Sequence, residues 1–433
     1  MTLQVKKRHL YFPITFSFFG LILVIDQLLL PMFHFSGIPF KVSYFLCALW
    51  FVGYLTKSSF DNFQNSEFKR FFSAIIIIMI AGILGEIYIS GFWNTGGSEP
   101  FIRSMLIYIL TIFAFGLGLQ NRNFNARWLI PVFYTAIVLN FLFIIFKFQL
   151  PSWLINFYYS EIYVEALSGL GLTDQRSVLE LARPRGLFPN PNGSAFLVNI
   201  ISLFIFLCYR NKVINTPNLF AMLVIIFAPI ILSTLLASRG EFIVSVVLGF
   251  LHIFRSYEKN NSSFYKLSAS VVFIPIASII FIFQNINLED FQTNINRVFS
   301  ILEVLENTNS TDVDDQALGG IARPLLQVVP AYERFIVSPL IGSGFAVVPS
   351  HEYFKEGTDF FHNDWFRLLV SSGLIGFFAM FYVVFRFVLP VGWPAFIPFF
   401  LPGLVNTFLL NIPAVMFFFF MIGFLRVKIK DNE

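Results

Sequence analysis

Three short polar segments interrupt an otherwise apolar chain, and their residue types can bind an anion and move a proton. The first, Arg183-Pro-Arg185-Gly186-Leu187-Phe188-Pro189-Asn190-Pro191-Asn192-Gly193, runs straight into an apolar stretch. Its prolines and glycine make a rigid turn at a helix entrance, with Asn192 placed as the N-cap and exposed amide groups pointing outward. A helix N-terminus beside two guanidinium groups is an anion site. The second is Ser238-Arg239-Gly240, between two apolar runs. A charge there is costly unless it faces protein or a water-filled cavity, so Arg239 is expected to point inward; snorkelling to the interface is the competing reading. The third is His362-Asn363, followed by Gly373 and Gly376 in the next apolar stretch. Those glycines stand i, i+3 on one helix face and permit close packing against a neighbour, which fixes the helix start and His362 with it. With an ordinary pKa near ~6.5, an imidazole at the membrane edge can take a proton from a hydroxyl. Taken singly, the three segments read equally well as a turn, an interfacial arginine and a structural histidine.

The elements that must position these groups are membrane helices. Of the 433 residues, 57% are hydrophobic and 12% charged, which excludes a water-soluble enzyme. At ~20 residues per crossing this composition predicts an all-α, polytopic membrane protein with about twelve spans. The apolar stretches lie near 11–32, 38–56, 71–93, 101–119, 128–150, 193–209, 219–237, 241–255, 266–284, 364–388, 390–407 and 408–425. The expected organisation is five N-terminal spans (1–150), an outer loop (151–192), four spans (193–284), a large outer loop (285–363) and the C-terminal spans (364–433). Pro390, Pro394, Pro398 and Pro402 leave a re-entrant hairpin open as an alternative for 390–425. Each long loop holds a stretch able to form a surface helix, near 155–167 and 298–305.

Sidedness follows from the basic residues. Lys6, Lys7 and Arg8, Lys57, Lys69 and Arg70, Arg122 and Arg127, Arg210 and Lys212, Arg255, Lys259 and Lys266, Arg386, and Arg426, Lys428 and Lys430 fall on alternate connections. Both termini are therefore expected in the cytoplasm, with the first apolar run retained as a helix. The net charge of +4 needs no nucleic acid to explain it. The outer basic residues are mostly arginines, among them Arg176, Arg297, Arg323, Arg334 and Arg367, and they suit an anionic substrate, or else pair with loop carboxylates. Asp312-Val-Asp314-Asp315 spells an acidic pattern that can hold a metal, but its polar setting reads as loop, and neither metal nor cofactor is expected. Cys47 and Cys208 lie in apolar runs and read as small hydrophobes. The 60 phenylalanines read as lipid-facing filler. Asp26 and Glu86 stand inside apolar runs, and a structural hydrogen bond is the default for each.

Arg185 to Asn192, Ser238-Arg239-Gly240, Gly342-Ser343-Gly344-Phe345, and His362-Asn363 with Gly373 and Gly376, in this order, resemble the bacterial O-antigen ligase and O-antigen polymerase superfamily. The likeness covers mainly residues 183–376. It implies an inverting, metal-independent glycosyltransferase of the inner membrane, using an undecaprenyl-diphosphate-linked glycan donor on the periplasmic face. Arg185 and Arg239, with Arg323 as a looser match, then hold the diphosphate, and His362 activates the acceptor hydroxyl; Arg183, Asn192, Asn363, Gly373 and Gly376 support them. The resemblance favours a polymerase extending repeat units, with a chain-length regulator as partner, over a ligase that transfers finished glycan to lipid A-core. A lipid-linked glycan flippase or other transporter is the reading from a different class.

Overall fold

The computed structural model describes residues 12–31, 33–35, 38–56, 62–89, 98–146, 150–158, 186–187, 191–215, 217–236, 238–259, 328–345, 363–400, 409 and 411–432. Apolar runs become helices here because in lipid a backbone must satisfy its own hydrogen bonds. The helices are α1 (Phe12–Leu28), α2 (Val42–Thr56), α3 (Asn62–Ile89), α4 (Ser98–Gln120), α5 (Leu129–Ile145), α6 (Ser152–Tyr158), α7 (Pro191–Arg210), α8 (Leu219–Leu235), α9 (Arg239–Lys259), α10 (Val328–Val337), α11 (Asp364–Val383) and α12 (Ile412–Asn432). Between α1 and α2 lies an antiparallel hairpin, β1 (Phe33–Phe35) and β2 (Ile38–Phe40), with Phe33 opposite Phe40. It is the exception to an otherwise helical fold among the described residues. Asparagines start several elements: Asn218 Oδ1 accepts from Ala221 N at 2.8 Å, and Asn411 Oδ1 from Ala414 N at 3.3 Å.

Among the described residues, six helical stretches are long and apolar enough to cross a membrane: Gln64–Tyr88, Phe101–Gln120, Ala126–Ile145, Asn192–Arg210, Asp364–Val391 and Ile412–Asp431. Val42–Gly53 and Leu219–Leu235 are shorter apolar helices. The expected stretch 266–284 and the surface helix near 298–305 lie outside the described residues. In the first long loop, α6 covers Ser152–Tyr158, burying Ile155 and Tyr158 while Trp153 is exposed, and the rest of the surface helix expected near 155–167 lies outside the described residues. Tyr158 OH donates to Leu29 O at 3.0 Å, and burial raises its pKa above the ordinary value.

Helix α12 is the buried axis. It packs against α4 where backbones nearly touch: a side chain on Gly118 meets the Phe420 carbonyl, and one on Gly423 the Phe115 carbonyl. Around it the phenylalanines interlock. Phe71 stacks on Phe115 with ring centroids 3.9 Å apart, and Phe387 meets Phe71 edge-on at 5.3 Å. Phe71, Phe115, Phe133, Phe204, Phe387 and Phe417 to Phe420 are fully buried and fill the bundle interior, which corrects the lipid-facing reading for these rings, whereas Phe45, Phe220, Phe250, Phe378 and Phe385 are exposed on the outside as that reading expects.

One end of the bundle is tied by charge. Glu67, 1% exposed, accepts Nη2 of Arg386 at 2.8 Å and Nη2 of Arg426 at 2.7 Å, joining α3, the segment after α11, and α12. At the same end of α7, Asn211 Nδ2 donates to Val391 O at 3.1 Å. Leu409 N, in contrast, donates to the carboxylate of Asp364, the first residue of α11, at 3.0 Å. The proline-rich stretch therefore has its two ends held at opposite ends of α11, where a hairpin would return to one. It begins as 3-10 turns at Leu389–Val391 and Trp393–Phe396, because Pro390 and Pro394 prevent a regular helix.

The opposite end is tied by a buried lysine. Lys41, 0% exposed, donates Nζ to the carbonyls of Asp26, Gln27 and Leu30, the last at 2.6 Å, and so caps the C-terminus of α1. Asp26 Oδ2 in turn accepts Ser43 N at 2.8 Å at the start of α2. Asp26 thus has a structural role, joining two helix ends across the hairpin.

Candidate functional site

Asn363 caps α11. Its Oδ1 accepts Trp365 N at 2.9 Å and Phe366 N at 3.1 Å, so the residue directly after His362 fixes where the helix begins. One turn on, Arg367 Nη2 donates to Ser104 Oγ of α4 at 2.7 Å. Trp365 Nε1 donates to Phe399 O at 3.2 Å, so the first turn of α11 touches the middle of the proline-rich stretch.

Deeper in α11 the helix is broken. Gly373 has φ 60° and ψ −164°, a conformation open essentially only to glycine. The turn after α10 enters this break: Ser343 N donates to Val370 O at 2.6 Å and Gly344 N to Ser371 O at 3.1 Å. In return, Leu374 N donates to Pro339 O at 2.8 Å and Ile375 N to Leu340 O at 3.1 Å. Both open helix ends are satisfied by the inserted turn, which is how irregular backbone survives among membrane helices. On its other side the turn rests on α3: any side chain at Gly344 overlaps Glu86, and Phe345 fills the gap left by Gly82.

This arrangement changes two expectations. Gly373 is a helix break that admits a loop, where a helix face for close packing was expected. Gly376 instead faces Ser372 across the break and Ile78 of α3. Residues 328–345, expected within one large outer loop, dock into the helix bundle, because their backbone groups complete the broken α11.

At the starts of α7 and α9 the other two segments meet: Ser238 Oγ donates to Asn192 Oδ1 at 3.0 Å. The helix begins at Pro191, so Asn192 sits inside the first turn, where the N-cap position was expected. Proline at the first helical position explains the shift, since it has no N–H to lose. Leu187 N donates to Asn140 Oδ1 of α5 at 2.7 Å, anchoring the approach to α7. Arg239 is the first residue of α9.

Between α7 and α9 runs a polar seam that the sequence reading missed. Glu241, 1% exposed, accepts Asn199 Nδ2 at 3.0 Å, and the same amide also donates to the Glu241 carbonyl at 2.9 Å. Ser245 Oγ donates to Asn199 Oδ1 at 2.8 Å and lies 2.9 Å from Ser233 Oγ of α8. Further along, Ser202 Oγ is 3.4 Å from His252 Nε2. The signal was available: Glu241, Ser245, His252 and Arg255 break an apolar run at helical spacing, and polar groups inside a span face protein. Asn199 also lines a small recess with Phe196, Ile200, Val244, Ile397 and Pro398. The proline-rich stretch thus borders Phe196 to Leu203 of α7 and Val244 and Leu248 of α9, beyond the first turn of each helix, on one side and Trp365 of α11 on the other.

Of the expected site residues, Asn192, Asn363, Gly373 and Gly376 are described and Arg239 through its backbone. His362, Arg183, Arg185, Arg323 and the Asp312 to Asp315 run lie outside the described residues. The starts of α7 and α9 meet through Asn192 and Ser238, and residues 397–399 link the following turns of these helices to the start of α11. In comparisons with known proteins, no family model matches the chain and no curated protein matches it.

Proposed function

We propose that this chain is a twelve-span membrane glycosyltransferase that extends a lipid-diphosphate-linked glycan on the outer face of the bacterial cytoplasmic membrane, in the manner of an O-antigen polymerase. The observation that carries the reading is the meeting of the starts of α7 and α9 through Asn192 and Ser238, with residues 397–399 bridging the following turns of these two helices to the start of α11. Those starts bear Arg239 and directly follow Arg185 and His362. The basic residues Arg386, Arg426 and Arg210 are at the other end, as the excess of positive charge on cytoplasmic connections requires.

In the proposed reaction His362 accepts the proton of an acceptor sugar hydroxyl as its oxygen bonds to the anomeric carbon. The bond from that carbon to the diphosphate oxygen breaks with inversion. Arg185 and Arg239, with Arg323, stabilise the charge growing on the departing diphosphate, an interaction stronger in the transition state than in the ground state. Deletion of the gene, followed by gel analysis of surface polysaccharide, tests this. A single repeat unit on lipid A-core supports a polymerase, bare core with accumulated lipid-linked polymer points to a ligase, and an unchanged ladder refutes both.

The polar seam of α7 and α9 favours a second reading, a transporter, because buried ionisable groups in spans often mark ion pathways. Accumulation of lipid-linked repeat units on the cytoplasmic side in the deletion strain selects that reading.

A further inference from the structure

We propose that the polar seam between α7, α8 and α9 binds a monovalent cation, Na+, which clamps the three helices together. Four buried residues meet there: Asn199 of α7, Ser233 of α8, and Glu241 and Ser245 of α9. Ser245 Oγ is the centre. It lies 2.7 Å from Glu241 O, 2.8 Å from Asn199 Oδ1, 2.9 Å from Ser233 Oγ and 3.2 Å from Pro229 O. The Glu241 carboxylate joins the group through the Asn199 amide, at 3.0 Å. Ser245 has one hydroxyl proton, and Glu241 O, Asn199 Oδ1 and Pro229 O have none to give. Two of those three oxygens therefore face Ser245 Oγ with no proton in between. Turning the Asn199 amide over moves the shortage without removing it, because its oxygen then faces both Glu241 O and Glu241 Oε2. Oxygens packed this way repel one another, and a cation among them converts the repulsion into coordination.

The charge and the donors fix the class of ion. The Glu241 carboxylate accepts from an amide, and among the described residues no lysine or arginine pairs with it. A buried negative charge within a span is costly until it is neutralised. One monovalent ion brings the site to neutrality, whereas a divalent ion leaves a positive charge in its place. Carboxylate, carbonyl and hydroxyl oxygens suit a hard cation. Their close spacing, 2.7 to 3.2 Å around Ser245 Oγ, suits Na+ better than the larger K+. Pro229, inside α8, explains why backbone oxygen is on offer here. It lacks the N–H that would bond Ile225 O, and Ser202 Oγ of α7 donates to that carbonyl at 3.4 Å instead. Helix α8 thus presents one carbonyl to α7 and the next, Pro229 O, to Ser245 of α9. None of these residues takes part in the proposed transfer, so the ion acts on the packing of the helices and not on the reacting groups.

Radioactive Na+ is the probe, its binding to the full-length protein in phosphatidylcholine nanodiscs read by scintillation proximity. Binding that unlabelled Na+ displaces and choline does not is expected. Glu241→Gln and Ser245→Ala are each expected to weaken it about 10-fold or more, the loss of one ligand. Protection of the buried Cys47 and Cys208 from a thiol dye shows that each variant is folded. Ser233→Ala, which removes a single hydroxyl, carries the same expectation where Glu241→Gln does not fold. Replacing choline chloride by NaCl at ~100 times the dissociation constant is expected to raise the unfolding midpoint by about 5 °C. No displaceable Na+ binding, the result given by a carboxyl that holds a proton instead, overturns the proposal. Undiminished binding in the folded variants overturns it as well, and equal displacement by K+ and Na+ overturns the assignment to Na+.

Discussion

Replacing Glu67 by Gln tests how much of the bundle's stability comes from charge rather than from its phenylalanines. Glu67 is 1% exposed and accepts from two arginines on different segments, at 2.8 and 2.7 Å. The Arg386 side chain is 39% exposed, so its bond is screened and contributes at most about 1 kcal/mol. The Arg426 side chain is 12% exposed, and stranding it beside a neutral amide costs about 2 kcal/mol, below the range for a fully buried pair. The total of ~3 kcal/mol corresponds to a fall of ~6 °C in the unfolding midpoint, at ~2 °C per kcal/mol for large domains. The protein carries its own reporters, since Cys47 in α2 and Cys208 in α7 are both 0% exposed. A thiol-reactive dye followed during heating reads their release. Glu67→Leu combined with Arg426→Leu is expected to recover most of the loss, because an apolar replacement removes both buried charges, while Arg386 reaches the membrane surface. A Glu67→Gln midpoint within ~1 °C of the parent refutes the reasoning.

Lys41→Met leaves the carbonyls at the end of α1 without their donor and Asp26 without its neighbouring cation; a loss of about 3 kcal/mol is expected in the same dye assay, partly restored by adding Asp26→Asn. Gly373→Ala is expected to lose about 2 kcal/mol or more, since the positive φ and the approach of Leu340 leave no room for a methyl group, whereas Gly53→Ala, with open space around it, stays within ~1 kcal/mol of the parent. His362→Ala is expected to abolish glycan transfer in a protein that still protects its cysteines; a normal polysaccharide ladder removes His362 from the reaction. Arg239→Ala is expected to lower transfer at least 10-fold more than Arg239→Lys, because lysine keeps the charge and loses the fork, and equal activities would exclude an electrostatic role.

The helical, multi-pass character of this protein was legible from hydropathy, because the requirement for apolar length is met residue by residue along one run. Which basic residues share an end was legible for the same reason: the charges of Arg210, Arg386 and Arg426 lie next to the spans they flank. The positions of Asn192, Ser238 and Gly373 could be singled out, yet their roles could not. Asn192 became a partner of Ser238 rather than a cap, and Gly373 a break in α11 filled by residues 339–344. The ion pair of Glu67 with Arg386 joins residues 319 apart, and the bond of Arg367 to Ser104 residues 263 apart. Such pairings depend on which helices become neighbours, and that is decided by the fit of Gly118 against Phe420 and of ring against ring around α12. Hydropathy is a sum over local residues, while neighbourhood is a property of surfaces that exist only after the helices have packed.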